Sequence, residues 1–133
     1  MMGRLAGSAG VLAATCVLMA APAGATPEPA AQVDCNFTLS APYVVDVAGT
    51  QMVTATVVPA ACPDAVPTVL QACLSVPGKV GRCDNTDGNT MSQVYLSPYV
   101  PGMSYTARGR GCAAVPSPPT MICSSLGPTE AVL

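Results

Sequence analysis

Six cysteines constrain this chain more than any other feature of its 133 residues: Cys35, Cys62, Cys73, Cys83, Cys112 and Cys123. A seventh, Cys16, lies in an N-terminal segment expected to be removed. Arg4 gives that segment a positive start, Leu5 to Ala21 is an uncharged apolar run, and Ala23-Gly24-Ala25 supplies small residues for cleavage. The run is short for a spanning helix, and Pro22 closes it. Residues 1–25 are therefore predicted to be a secretory signal peptide. Residues 26–34 follow as a flexible lead-in, and 35–133 as a single domain of ordinary size. The mature chain is expected outside the cell or in its envelope, with no membrane segment after cleavage.

An even cysteine set in a small exported chain reads as a disulfide framework. Zinc ligation does not fit, because there is no Cys-x-x-Cys spacing and no histidine. Turn chemistry then selects one pairing among many. The midpoint of Cys35 and Cys62 falls at Ala48-Gly49, that of Cys73 and Cys83 at Gly78, and that of Cys112 and Cys123 at Ser117-Pro118. Residues equidistant from a turn face each other across an antiparallel hairpin. The expected bridges are Cys35–Cys62, Cys73–Cys83 and Cys112–Cys123.

Alternation identifies the strands. Phe37, Leu39 and Ala41 oppose Asn36, Thr38 and Ser40, while Val53, Ala55 and Val57 oppose Thr54 and Thr56. Leu70, Ala72, Leu74 and Val76 oppose Gln71, Cys73 and Ser75, and Val94 and Leu96 oppose Gln93 and Tyr95. Over 103–112, Met103, Tyr105 and Ala107 oppose Ser104, Thr106, Arg108 and Arg110. Period-two patterning rich in Val and Thr is the signature of a half-buried antiparallel strand. Segments 43–47 and 120–126 give weaker patterns. Proline and glycine punctuate the intervals too often for a long helix. The expectation is an all-β fold: a small disulfide-stapled β-sandwich of about seven short antiparallel strands.

The segment Tyr95-Leu96-Ser97-Pro98-Tyr99-Val100-Pro101-Gly102-Met103-Ser104-Tyr105-Thr106-Ala107-Arg108 resembles the E-to-F region of fibronectin type III domains. There a leucine-bearing strand leads through a Pro-Gly turn to a tyrosine that opens the next strand. The resemblance implies an immunoglobulin-like sandwich. That family usually carries a tryptophan in its second strand and generally lacks disulfides, whereas this chain has no tryptophan and six mature cysteines. The resemblance therefore speaks to fold and not to activity.

Composition narrows function mainly by exclusion. After loss of Arg4, four bases stand against seven acids, too few and too dispersed for a nucleic-acid surface. Without histidine, the serine–histidine and cysteine–histidine nucleophile pairs cannot be built. A serine–lysine dyad could use only Lys79, with Ser75 nearby, and Lys79 reads as a turn residue. Asp84 and Asp87 are the sole acids close in sequence. The segment Asp84 to Thr90 reads as a turn, with calcium ligation or carboxylate catalysis as rivals. No cofactor is expected, and the chain reads as non-enzymatic.

The candidate binding surface comprises Arg108 and Arg110, which project from the same face of one strand, with Tyr95 and Tyr99. The two arginines suit a carboxylate, phosphate or acidic partner, and the tyrosines a protein or glycan. Gly109 and Gly111 are read as flanks of a solvated face. Asn36-Phe37-Thr38 matches the N-glycosylation pattern. The leading expectation is a secreted surface-binding or envelope module whose partner is an unidentified extracellular protein or envelope polymer. The alternative is a protease inhibitor presenting the 115–120 loop. A small hydrolase would need distant carboxylates to converge.

Overall fold

Alternating residues and frequent turn signals produce eight strands and no helix among the described residues of the computed structural model, which are Gly24 and residues 34–133. The predicted signal peptide apart from Gly24, Cys16 included, and the predicted lead-in apart from Asp34 lie outside them. The strands are β1 (Asn36–Leu39), β2 (Tyr43–Val47), β3 (Thr50–Ala61), β4 (Val66–Ser75), β5 (Arg82–Asp87), β6 (Ser92–Leu96), β7 (Ser104–Pro116) and β8 (Pro119–Val132). They form two antiparallel four-stranded sheets.

In the first sheet, the 12-residue β3 is the centre. It pairs with β6 along one side and with β2 and then β1 along the other. The second sheet has the order β5-β4-β7-β8. The faces follow the alternation: Phe37, Val53, Ala55, Val57, Leu70, Ala72, Leu74, Val94, Tyr105 and Ala107 are buried between the sheets. The fold is an all-β, disulfide-stapled sandwich, as the period-two pattern predicts.

All three predicted bridges are present, with sequence separations of 27, 10 and 11. Cys73 is directly opposite Cys83, and Cys112 directly opposite Cys123. Their Cα atoms are 4.0 and 4.1 Å apart. Such closeness belongs to the non-hydrogen-bonded positions of an antiparallel ladder, where opposing side chains approach most nearly.

The structure corrects two readings. The stretch 82–87 is a strand, and the turn is confined to residues 88–90. Asp and Asn disfavour strands intrinsically, but the Pro77-Gly78 turn and the Cys73–Cys83 bridge hold this segment in register beside β4. Its charges also suit a free sheet edge, since they discourage pairing with another chain. Gly109 and Gly111 face the core and not solvent. A Cβ on Gly109 would stand 2.5 Å from Val57 Cγ2, and one on Gly111 would enter the Phe37 ring. Their missing side chains let the first sheet seat Val57 and Phe37 against β7.

Tyr105 is 1% exposed, and its hydroxyl reaches back to the backbone of Val100. It accepts from the Val100 N–H at 2.9 Å and donates to the Val100 carbonyl at 3.5 Å. Tyr105→Phe would retain the ring and orphan that N–H, an expected loss of about 1–3 kcal/mol. A fall of roughly 5–15 °C in melting temperature, measured by circular dichroism, is expected at this domain size.

Candidate binding face

The outer face of the second sheet displays the polar side of each alternating strand, and its registers set side chains in rows across the strands. One row runs Asp87, Val69, Cys112, Cys123; the next runs Asn85, Gln71, Arg110, Ser125; a third runs Cys83, Cys73, Arg108. Arg108 and Arg110 therefore occupy adjacent rows of β7, with Cα atoms roughly 6.5–7 Å apart. Both are exposed. Arg108 sits at a register shift where β8 passes through Gly127 and Pro128.

Two of the three disulfides lie on this outer face. Cys73–Cys83 clips β4 to β5, and Cys112–Cys123 clips β7 to β8. The arginines thus project from a sheet whose two hairpins are covalently closed. Two adjoining depressions share Gln71 as a common wall. One, of about 400 Å³, is bounded by the Cys73–Cys83 bridge, Gly81, Thr106 and Arg108. The other, of about 480 Å³, is bounded by Val69, Asn85, Asp87, Arg110 and Met121. Sites of this kind combine apolar walls with a few fixed polar groups.

The face carries two acids, Asp87 and Glu130, beside its two arginines, yet none of the four is in an ion pair among the described residues. Among the described residues the one ion pair is Arg82–Asp84 at 3.8 Å, within β5. Arg108 and Arg110 have no carboxylate partner there. Glu130 is engaged by the Thr106 hydroxyl, which donates to it at 3.3 Å. Two guanidinium groups with unused donors offer bidentate hydrogen bonds to carboxylate or phosphate oxygens.

The structure does not unite the four residues expected to form one surface. Tyr95 pairs with Thr54 on the outer face of the first sheet, on the opposite side of the sandwich from the arginines. Tyr99 lies between β6 and β7, partly buried against the core, and its N–H donates to the Gln51 carbonyl at 3.3 Å. Period-two alternation gives each residue's face within its strand. It does not say which of two sheets that strand joins. Gln71 and Asn85 were missed for a related reason, since only the β4–β5 and β4–β7 registers bring them into the Arg110 row.

The other candidates are dispersed. Asp84 and Asp87 point to opposite faces of β5, so they do not form a carboxylate pair. Among the described residues, no group of three or more acids and cysteines is placed to hold a metal ion. The Ser75 hydroxyl donates to the Thr106 carbonyl at 3.5 Å, and Lys79 is exposed in its turn. The 115–120 segment is a tight hairpin tip, with Val115 paired to Thr120 and Pro116 to Pro119, and not an open loop. Asn36 is exposed at the start of β1. Three intramolecular disulfides are typical of extracellular proteins. Comparison of the chain with known protein families, with characterised proteins and with solved structures gives no match.

Proposed function

We propose that this chain is a secreted, non-enzymatic binding module that holds an acidic group on the outer face of the β5-β4-β7-β8 sheet. The observation that carries the reading is the Arg108/Arg110 pair. It projects without a carboxylate partner from a face stiffened by two disulfides and hollowed beside each arginine. The partner is an extracellular protein or an envelope polymer bearing carboxylates or phosphates. Because disulfides close both hairpins beside the arginines, little backbone ordering cost opposes binding. The absence of histidine from the sequence and the separation of Asp84 from Asp87 favour binding over hydrolysis.

We further read the sandwich as immunoglobulin-like. Two features support this: the division into β1/β2-β3-β6 and β5-β4-β7-β8, and a tyrosine corner formed by Tyr105 and the Val100 backbone.

The test is co-sedimentation of the oxidised chain with envelope fractions and with acidic polymers, poly-glutamate and polyphosphate among them. Arg108→Ala/Arg110→Ala is expected to weaken retention at least about tenfold, near 1.4 kcal/mol. Arg108→Lys/Arg110→Lys should recover part of it, since charge returns without the bidentate fork. Retention should also fall as salt rises from about 0.1 M to 1 M, because exposed charges are screened. Unchanged partners and affinity in the double alanine variant would reject this face.

A further inference from the structure

The outer face of the first sheet has a chemistry of its own. Its rows are Val47 and Thr50, Val45 and Met52, Tyr43 with Thr54 and Tyr95, Thr56 and Gln93, and Thr38 with Val58. None of these residues is charged. The nearby Asp46 is engaged in its own turn, accepting from the Gly49 N–H at 2.8 Å.

The central row is unusual. Thr54 belongs to the outward-facing set of β3, yet it is 0% exposed. Its side chain stands on an outer face, so neighbouring side chains must lie over it. Tyr43 and Tyr95 are its direct cross-strand partners on either side, and Gln93 Nε2 donates to its hydroxyl at 3.0 Å. The Thr54 hydroxyl in turn donates to the Val94 carbonyl at 2.9 Å. This network consumes the polar atoms beneath. The two phenol hydroxyls have no hydrogen-bond partner among the described residues, and Tyr43 is 40% exposed.

We infer that this face binds a neutral polysaccharide, with Tyr43 and Tyr95 as its stacking platform. The two tyrosines stand on strands flanking β3, with their Cα atoms two inter-strand spacings or roughly 9.5 Å apart, so one short run of sugar units reaches both side chains. Tyr43 is exposed and Tyr95 partly exposed, so each has ring surface to offer, and the C–H face of a pyranose ring is its complement. Phenol and threonine hydroxyls at the margin match a sugar's hydroxyl edge. A neutral polymer fits because the face offers no charge to neutralise. The site is independent of the arginine face, since it lies on the other sheet.

Isothermal titration of the oxidised chain with soluble neutral oligosaccharides of four to eight sugars, both β-1,4-linked and α-linked, tests the proposal. Binding by the wild type is expected for at least one linkage. Tyr43→Ala and Tyr95→Ala should each weaken it about tenfold or more. Tyr43→Phe should retain most of the affinity, and Tyr43→Trp should match or exceed the wild type, because stacking depends on the ring. The Phe and Trp variants keep Thr54 covered, so they separate lost stacking from lost structure. Arg108→Ala/Arg110→Ala should leave this binding unchanged. Absence of binding to every neutral glycan overturns the proposal, as does affinity indifferent to Tyr43→Ala and Tyr95→Ala in folded protein. Binding only to acidic glycans that is lost with the arginines likewise overturns it.

Discussion

Full reduction of the three disulfides is expected to leave the chain unfolded at about 37 °C, the temperature at which small secreted domains commonly fail without their bridges. Loops of 27, 10 and 11 residues are closed by Cys35–Cys62, Cys73–Cys83 and Cys112–Cys123. Loop-closure entropy assigns them about 3.5, 2.7 and 2.8 kcal/mol. Together that is about 9 kcal/mol, against a typical total of roughly 5–15 kcal/mol for a folded domain. The core has little surplus with which to compensate, because many of its members are Ala or Val. Cys35→Ser/Cys62→Ser is expected to be the most damaging single pair removal. It opens the longest loop and frees the strand that carries Phe37. The check is thermal denaturation followed by circular dichroism, with free thiols counted before and after reductant. A cooperative melt unmoved by full reduction would show that packing alone sustains the sandwich.

The second large effect is expected from one methyl group. Gly111→Ala places a Cβ inside the volume of the Phe37 ring. The ring cannot simply swing away, because it is 9% exposed and packed within the core. Overpacking of this kind costs about 1–3 kcal/mol, and the upper part of that range is expected here. At this size the melting temperature should fall by roughly 10–20 °C. Phe37→Ala alone removes the ring and should cost about 3–5 kcal/mol. Phe37→Leu/Gly111→Ala should be more stable than the sum of its single changes implies, because the smaller side chain makes room for the methyl group. Additive losses in that cycle would mean that Gly111 and Phe37 do not share the space their positions indicate.

These two effects bracket what could be read from the residues alone. The bridges were legible because turn symmetry is a local property: Gly78 and Ser117-Pro118 lie midway between their cysteines, and hairpins preserve that symmetry. The inward faces of β3, β4, β6 and β7 were legible because alternation needs only the strand itself. The strand at 82–87 was not, because Asp84, Asn85 and Asp87 imitate a turn and their pairing comes from β4. Nor was the role of Gly109 and Gly111. A glycine in a strand can mark a close approach, but the approaching groups here, Val57 and Phe37, come from the other sheet. The same limit separated Tyr95 from Arg108 and Arg110. Their strands adjoin in sequence through the Pro101-Gly102 turn, yet they belong to different sheets.

The sandwich thus presents two chemically distinct faces, one hollowed and bearing two arginines without an ion-pair partner, the other uncharged and aromatic. The arginine-bearing face carries the proposed function, and it can be mapped residue by residue. Amide and side-chain NMR signals of the oxidised chain should be followed while an acidic partner fraction, retained in the sedimentation experiment, is titrated in. Shifts are expected to cluster on Gln71, Asn85, Arg108, Arg110 and Ser125 and to vanish in Arg108→Ala/Arg110→Ala. Shifts confined to the 115–120 hairpin tip, or persisting unchanged without the two arginines, would contradict the assignment of binding to this face.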